Sequence, residues 1–376
     1  MSSALDPLPL EGIKVVEFAQ MVAGPSTGLL LADYGAEVIK IEPPQGDSCR
    51  QLRTRAASAL ENAPVFIGYN RNKTLIRLDL RNPDDLKKAE ELIAQADVLI
   101  ESARPGAMDR LGLGADVLVA RHPQLIYAAV SGFGNEGPGR SRGGVDLIVQ
   151  AESGIMASTG FTDAPVKVGF TVVDAATGHA LCHGIIAALF RRIRTGRGGI
   201  VRTSLYEVAL HLQTGPITEY LMTGEQMPRA GNSAPLTAPA DLMRCGEGAI
   251  VVSAYLEHHW AAFCRAIGGD ALLIDPRFAG AVNRVAHREA LLIEIEKRLQ
   301  ARTASEWRTI LAAEGLLVGE VKDYAAIVAD PVTKASGIIE QIGPDFGVRS
   351  PITLFGGKKL QLRQRNERPS AGAAFE

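Results

Sequence analysis

The chain has 376 residues, 46% of them hydrophobic, which is enough to bury a full core in two domains or in one large domain with an excursion. Its 40 basic and 42 acidic residues nearly cancel, and no dense Lys/Arg run builds a basic face. This balance argues against binding to nucleic acid or to a membrane surface. We therefore expect a globular protein of enzyme size.

The sequence indicates neither a targeting segment nor a metal centre. The opening residues, MSSALDPLPLEG, lack the basic and apolar regions of a signal peptide, and no apolar run approaches the length that spans a bilayer. The cysteines have no CxxC or Cys/His spacing, and His179 and His183 have no third ligand in view. We expect a cytoplasmic protein with reduced cysteines, no metal, and both histidines packed in the core.

Strands and helices alternate in the first third of the chain. Residues 12–42 read as strand, helix and strand, with Gly24 and Pro25 starting the helix. Two further strands, TLIRLDL and ADVLIES, flank a helix that begins at Pro83, and a helix over Ala115–Arg121 leads to the strand LIYAAVS. The alternation predicts a parallel α/β sheet whose ligands gather beyond the carboxyl ends of the strands. The absence of a GxGxxG motif leaves dinucleotide binding with little support.

The composition of the sequence changes near residue 223. From there Pro and Gly cluster, and apolar residues no longer recur at regular spacing. A strand, AIVVSAY, and two amphipathic segments, His258–Ile267 and Ala286–Gln300, follow. We expect residues 1–222 to form most of a large domain and residues 223–302 to form a small domain. Residues 303–376 are expected to rejoin the large domain.

The stretch Pro165–Gly198 is where we place the chemistry. An apolar, β-branched run predicts a strand that leads to Asp174, and a long, nearly all-apolar helical segment follows. At such a turn the helix N-terminus would hold the carboxylate ionised, while Ala175, Ala176 and Gly178 leave room for a substrate. An ionised, accessible carboxylate is a candidate nucleophile. The alternative is that Asp174 only caps the helix.

A glycine-rich stretch, GNEGPGRSRGGVDLIVQAESGIMASTG, comes before this segment and offers backbone N–H donors for a thioester oxyanion. Asp146 lies within it and either orients groups in the site or caps the helix that DLIVQAESG is predicted to form. Three arginines near the site loops, Arg140, Arg142 and Arg229, offer cationic partners for a second carboxylate. Solvated surface arginines are an equal alternative.

An ordered set of motifs spans nearly the whole chain: GIKVVEFAQMVAGP, GAEVIKIEPPQGD, NRNKTLIRLDL, ADVLIESARPGAMDRLGLG, YAAVSGFGNEGPG, VDLIVQAESGIMASTG, VGFTVVDAATGHALCHGIIAALFRRIRTGRG and EVKDYAAIVADP. This set resembles the class III CoA-transferase family, which includes formyl-CoA and carnitine CoA-transferases and 2-methylacyl-CoA racemases. The resemblance implies an α/β fold with a Rossmann-like large domain and a smaller inserted α+β domain. It also implies a homodimer of interlocked rings.

By this resemblance Asp174 falls on the position of the family's nucleophilic aspartate. The residues that would hold CoA are Gln20, Met21, Val22, Ala23, Asn72, Lys73, Ser102, Ala103, Arg104, Gly106 and Arg110. At two of them, Ser102 and Ala103, the family commonly has Asn and an aromatic residue. The implied reaction moves CoA from an acyl-CoA to a small organic acid through an aspartyl-CoA thioester, with acyl-CoA as a substrate and no tightly bound cofactor. The acceptor would be a dicarboxylate if the three arginines bind it.

Two other function classes remain open. A racemase needs two acid/base groups flanking the carbon α to the thioester, and the racemase branch has a His in a GHD sequence where this chain has Gly144, Val145 and Asp146. Val145 neither gives nor accepts a proton, which favours transfer, although His179 or His183 could substitute. The second class is a non-catalytic CoA-binding protein, for which Asp174 would be only a cap.

Overall fold

The computed structural model describes residues 7–354, 362–368 and 374–375. The chain divides into two compact units. The larger unit contains the described residues up to Ile155, then Lys167–Thr223, and the described residues from Val332 onward. The smaller unit contains Met156–Val166 and Gly224–Pro331.

The described strands, in chain order, are β1 (Lys14–Glu17), β2 (Glu37–Glu42), β3 (Thr74–Arg77), β4 (Val98–Glu101), β5 (Ile126–Ser131), β6 (Gly160–Phe161), β7 (Ala164–Pro165), β8 (Gly199–Ser204), β9 (Ala240–Arg244), β10 (Ala249–Ser253), β11 (Leu317–Glu320), β12 (Ile339–Ile342), β13 (Asp345–Val348) and β14 (Asn366–Glu367). The described α-helices are α1 (Ala23–Asp33), α2 (Pro64–Asn70), α3 (Pro83–Gln95), α4 (Ala107–Arg110), α5 (Ala115–Arg121), α6 (Asp146–Glu152), α7 (Ile155–Ser158), α8 (Val172–Thr195), α9 (Leu205–Leu212), α10 (Thr214–Thr223), α11 (Glu257–Ala266), α12 (Asp270–Ile274), α13 (Gly280–Ala286), α14 (Arg288–Leu299), α15 (Ala304–Ala313), α16 (Tyr324–Ala329) and α17 (Pro331–Ser336).

The larger unit is built on a seven-stranded sheet in the order β14-β3-β2-β1-β4-β5-β8. Every neighbouring pair in this sheet is parallel. Apolar residues from both faces of the strands are buried, as expected for a parallel sheet covered by helices on each side. The strand order reverses between β1 and β4, which is the point where open α/β sheets form their ligand crevice. The α/β class predicted from the sequence is therefore correct.

Helix α8 packs closely against α1 on one face of this sheet. A Cβ atom at Gly178 would lie 2.5 Å from Cβ of Ser26 and 3.0 Å from the carbonyl oxygen of Ala23. Only glycine permits that approach, because a larger residue would push the helices apart. The close crossing brings the first turn of α8, with Asp174, beside the first turn of α1.

The smaller unit has a three-stranded antiparallel sheet in the order β11-β10-β9. Its core includes Phe263 of α11, together with Trp307 and Leu311 of α15, all buried. Strand β11 pairs with β10, so residues 303–331 belong to this unit rather than to the large domain that the sequence predicted. The physical reason is that α15 completes the core of the smaller unit. The local sequence pattern does not show which core a helix packs into.

By length and composition one described helix, α8, is apolar enough to cross a membrane. This corrects the expectation that no apolar run approaches that length. Leu181, Ile185 and Leu189 of the helix are buried in the core of the larger unit. Burial against the sheet is sufficient to explain the apolar composition of this face of α8.

Candidate active site

Asp174 lies in the first turn of α8, but no strand leads to it. The short strand β7 ends at Pro165, and the chain then runs as a loop until α8 begins at Val172. The backbone N–H of Val168 donates to Oε1 of Gln150 at 2.9 Å, rather than to a neighbouring strand. The predicted strand-to-helix turn is therefore wrong, and Asp174 follows a loop that is held by side chains.

Asp146 caps the N-terminus of α8. Its Oδ1 accepts hydrogen bonds from the backbone N–H groups of Val173 at 2.8 Å and Asp174 at 3.2 Å. Its Oδ2 accepts from the Gln150 side-chain amide one turn along α6. Asp146 is the first residue of α6, and its carboxylate satisfies the amides of another helix. The structure therefore supports the hypothesis that Asp146 orients groups of the site, rather than the alternative that it caps its own helix α6.

Burial, and after it the negative charge of Asp146, raise the pKa of Asp174 from its ordinary 3.8 to about 7. This direction runs against the expectation that the helix N-terminus holds the carboxylate ionised, since the pKa is raised rather than lowered. The reason is that Asp146 already accepts from the first N–H groups of α8, so they give Asp174 little stabilisation. A half-buried carboxylate with a pKa near neutrality is typical of a functional group rather than of a surface cap.

Two other neighbours of Asp174, Cys49 and Tyr69, are uncharged. Burial raises the pKa of the Cys49 thiol to about 11, with contributions from Asp47 and Asp174, so the thiol stays protonated. Burial also raises the pKa of Tyr69, whose hydroxyl shares a hydrogen bond with Thr171. Neither residue was predicted from the sequence, because each lies far from Asp174 along the chain and belongs to no catalytic motif.

The segment Gln20–Ala23 joins the end of β1 to α1. The backbone N–H of Gln20 donates to Oγ of Ser102 at 3.2 Å, which ties the loop after β1 to the loop after β4. Met21 has a φ of 68°, in the left-handed region, and its N–H donates to Oδ1 of Asp47 at 3.3 Å. The first-turn amides of α1 that remain for a ligand are those of Ala23 and Gly24, because Pro25 has no N–H and the N–H of Ser26 donates to the carbonyl of Val22 at 2.7 Å.

Two cavities flank the loop after β4. One, of about 340 Å³, lies beyond the carboxyl ends of β1 to β4, and its lining includes Gln20 and Ala103. The other, of about 250 Å³, is polar and includes Arg104, Gly106 and Arg140 in its lining. Arg110 is exposed. It lies near the second cavity, because a Cβ atom at Gly106, which lines that cavity, would be 3.6 Å from the Arg110 Nη1. The predicted CoA residues of this loop therefore lie on both sides of it.

Lys73 does not face either cavity. Its Nζ is fully buried and donates to Oε2 of Glu17 at 2.8 Å, to the carbonyl of Pro25 at 2.8 Å and to Oδ1 of Asn70 at 3.2 Å. Burial lowers its pKa to about 8. The structure contradicts the prediction that Lys73 contacts CoA, because the side chain at the start of β3 runs beneath α1.

Asn72 is likewise held by the protein. Its side-chain amide donates to Oδ1 of Asp33 at 2.7 Å, and its Oδ1 accepts from the backbone N–H of Arg363. Its φ of 63° places it in a tight left-handed turn before β3. This side chain therefore holds Arg363 of the C-terminal segment, and its contact with CoA stays a prediction.

Two of the three arginines proposed for an acceptor carboxylate are already engaged. Arg142 forms an ion pair with Glu152 at 2.6 Å and stacks on the ring of Phe133. In the smaller unit, Arg229 donates to the carbonyls of Phe161 at 2.8 Å and Thr162 at 2.6 Å. The third, Arg140, lines the polar cavity of about 250 Å³.

Within the described ranges, no cluster of three or more His, Cys, Asp or Glu side chains could hold a metal ion. His179 and His183 are exposed on α8, which corrects the expectation that they pack in the core. The four cysteines are free and buried, as the sequence predicts. Val145 is 57% exposed at the start of α6 and has no polar group to offer the site.

Comparison with known proteins assigns the chain. The family model described as CoA-transferase family III matches residues 10–374. The chain is 36% identical over 346 residues to a probable fatty acyl-CoA transferase of Mycobacterium tuberculosis, covering 89% of this chain and 88% of the relative. It is 36% identical to a succinyl-CoA–D-citramalate CoA-transferase of Chloroflexus aurantiacus, covering 92% and 87%. A crystal structure of a CAIB/BAIF family protein from Brucella suis superposes with a TM-score of 0.91 at 33% identity, covering 97% of each chain. The chain belongs to CoA-transferase family III.

Proposed function

We propose that the protein transfers CoA between an acyl-CoA and a small carboxylic acid, with Asp174 as the nucleophile. The observation that carries this proposal is the place of Asp174. It is an accessible, half-buried carboxylate at the crossing of two helix N-termini, beside the ligand edge of the sheet. A carboxylate that only capped α8 would accept from its amides, but Asp146 fills that role.

In the proposed reaction, an Asp174 oxygen attacks the donor thioester carbon, the C–S bond breaks, and CoA leaves as the thiolate with the electron pair. This step yields a mixed anhydride. The thiolate then attacks the aspartyl carbonyl, which releases the donor acid and leaves an aspartyl-CoA thioester. The acceptor carboxylate reverses both steps, so Asp174 is regenerated and no net proton is consumed.

The oxyanions formed in these steps need donors close to Asp174. The first-turn amides of α1 are suited to this role, because they have no intrahelical acceptor and the N-terminus of α1 crosses α8 at Gly178. Loss of one such donor in other enzymes typically costs about 3 to 4 kcal/mol of transition-state stabilisation. CoA would then extend from this point towards the cavity of about 340 Å³ that Gln20 and Ala103 line.

The acceptor is proposed to be a small organic acid, and a dicarboxylate is the favoured class. The name of the Chloroflexus relative contains two dicarboxylic acids, whereas the mycobacterial relative is named for fatty acyl-CoA. Arg140, which lines the polar cavity of about 250 Å³, is the arginine that we propose pairs with the second carboxylate. Equal transfer rates to acetate and succinate would remove the basis for this preference.

Racemisation of a 2-methylacyl-CoA is the second candidate and has less support. It needs a second acid/base group opposite Asp174. Val145 cannot supply one, and the Asp146 carboxylate is committed to three hydrogen bonds. The racemase reading therefore lacks a partner at the position where that branch of the family has one.

We further propose an obligate homodimer of interlocked rings. Large apolar side chains of the larger unit are exposed, including Ile193 at 82%, Leu221 at 77% and Met222 at 81%. Surfaces of this kind are typical of protein–protein contacts. A dimer that persists at nanomolar concentration by light scattering is the expected result, and an active, folded monomer would contradict the proposal.

The reaction class is tested by incubating the protein with a panel of acyl-CoAs and free acids and following CoA exchange by mass spectrometry. We expect acyl-CoA of the acceptor to appear with loss of an equal amount of donor thioester and without free CoA. Hydrolysis alone, or no turnover with any donor and acceptor pair, would reject CoA transfer as the reaction.

A further inference from the structure

A chain of fully buried charges lies beneath the segment Gln20–Ala23. Nζ of Lys40 lies 3.3 Å from Oε1 of Glu17 at the end of β1 and 2.7 Å from Oδ2 of Asp47. Burial lowers the pKa of Lys40, but the carboxylates of Glu17 and Asp47 outweigh it, so the pKa is raised and the lysine stays charged. Burying such ions costs several kcal/mol each, so stability alone is weak grounds for their presence.

The other oxygen of Asp47 is directed at the backbone. Its Oδ1 accepts from the N–H of Cys49 at 2.9 Å and from the N–H of Met21 at 3.3 Å. Met21 is one of two described residues other than glycine with a positive φ. A left-handed conformation costs such a residue on the order of 1 kcal/mol and persists only where the surroundings enforce it.

The conformation of Met21 fixes where α1 begins. The chain turns sharply between Gln20, whose N–H is held by Ser102, and Ala23, the first residue of α1. The carbonyl oxygen of Ala23 lies against α8 at Gly178, one turn beyond Asp174. A change of φ at Met21 would therefore move the first-turn amides of α1 relative to the Asp174 carboxylate.

We propose that Asp47, itself held by Lys40, is a positioning residue that keeps Met21 left-handed and so aims the first-turn amides of α1 at the thioester. This inference rests on the proposed function of Asp174. The Oδ2 atom of Asp47 is fixed by its ion pair with Lys40. The Oδ1 atom accepts from the N–H of Met21 and so holds the strained backbone at that residue. Asp47 itself touches no reacting atom.

The test is a double-mutant cycle between Asp47→Ala and Met21→Gly, with steady-state transfer from one acyl-CoA at varied concentration as the readout. Asp47→Ala should lower kcat at least 30-fold and change KM for the acyl-CoA by less than threefold, because the affected donors act on the developing oxyanion. The loss should shrink to less than fivefold in the Met21→Gly background, since glycine adopts positive φ without strain.

Asp97→Ala is the matched control. Asp97 also accepts from a backbone N–H, that of Lys14 at 2.8 Å, and pairs with Arg192 at 2.8 Å, but it lies at the amino ends of the strands. It should lose stability without loss of kcat. A kcat for Asp47→Ala within threefold of wild type, or an equal loss in both Met21 backgrounds, would overturn the proposal.

Two further measurements keep the test decisive. If Asp47→Ala does not fold, Asp47→Val replaces it in the cycle, because valine has nearly the volume of aspartate but no oxygen to accept from the Met21 N–H. Hydrogen exchange of the Met21–Ala23 amides should quicken at least tenfold in the Asp47 variant. This readout needs no turnover, so a wild-type protein without transferase activity would reject the proposed function while still testing Asp47, and unchanged exchange would overturn its positioning role.

Discussion

Replacing Asp174 by Asn should stabilise the folded protein above neutral pH. Asn has nearly the same shape but no charge, so it removes the cost of ionising a half-buried carboxylate next to Asp146. Burial and the Asp146 charge raise the pKa of Asp174 from an ordinary 3.8 to about 7, which corresponds to at most about 4 kcal/mol of unfolding free energy. A gain of about 2 to 4 kcal/mol at pH 8 is therefore expected.

The pH dependence follows from the direction of the pKa change. Below pH 4 the carboxyl is protonated in both the folded and the unfolded chain, so the charge contributes no difference between variant and wild type. Between pH 4 and 7 the unfolded chain ionises first, and the wild type loses stability relative to Asp174→Asn as the pH rises. Above pH 7 the full difference is present and stays constant.

The assay is urea unfolding of both proteins from pH 5 to 8 at one protein concentration. A control is Asp84→Asn, at an exposed aspartate in the first turn of α3, which should lose up to about 1 kcal/mol as a favourable helix-end charge is removed. If Asp174 were only a cap, Asp174→Asn would behave like this control. A variant less stable than wild type at pH 8 would refute the reasoning.

Three further predictions concern catalysis and the buried charges. The kcat/KM for donor acyl-CoA should rise with pH and level off above about 7 as Asp174 ionises, and a flat profile from pH 5 to 9 would contradict its role. Lys73→Met should lower the free energy of unfolding by about 3 to 5 kcal/mol in urea titrations, because it leaves Glu17 without one of its two buried partners. A loss below about 0.5 kcal/mol would instead indicate that Lys73 is a surface residue that binds ligand. A chiral 2-methylacyl-CoA incubated in D2O without acceptor should gain no α-deuterium above background, and rapid exchange would favour racemisation.

Much of the larger unit could be predicted because its signals are local. The alternation of short apolar strands with capped helices marks β1 to β5 and α3, and Pro83 follows an Asn82 side chain that caps α3. The run before Asp174 misled because β-branched residues also occur in loops whose amides are held by side chains. The Gln150 contact that forms this loop spans 18 residues, which no local pattern shows.

The sequence indicated Asp174 as the candidate nucleophile but gave less indication of what surrounds it. Asp146 and Gln150 stand four residues apart on one helix face, a spacing that predicts their contact. The spacing does not predict that Asp146 caps α8. The pairing of Lys73 with Glu17 joins residues 56 apart, so a basic residue in a motif gave no indication that it was buried. Asp47 carried only a turn signal, since its role depends on the conformation of Met21.

The central claim, that Asp174 carries CoA as a covalent thioester, is tested most directly by intact-protein mass spectrometry. The protein is mixed with donor acyl-CoA without acceptor, quenched in acid, and compared with Asp174→Ala. We predict an adduct with the mass of CoA less water, mapped to the peptide containing Asp174 and missing from the variant. An unmodified wild type that still turns over, or an Asp174→Ala variant that transfers CoA at the wild-type rate, would contradict the account.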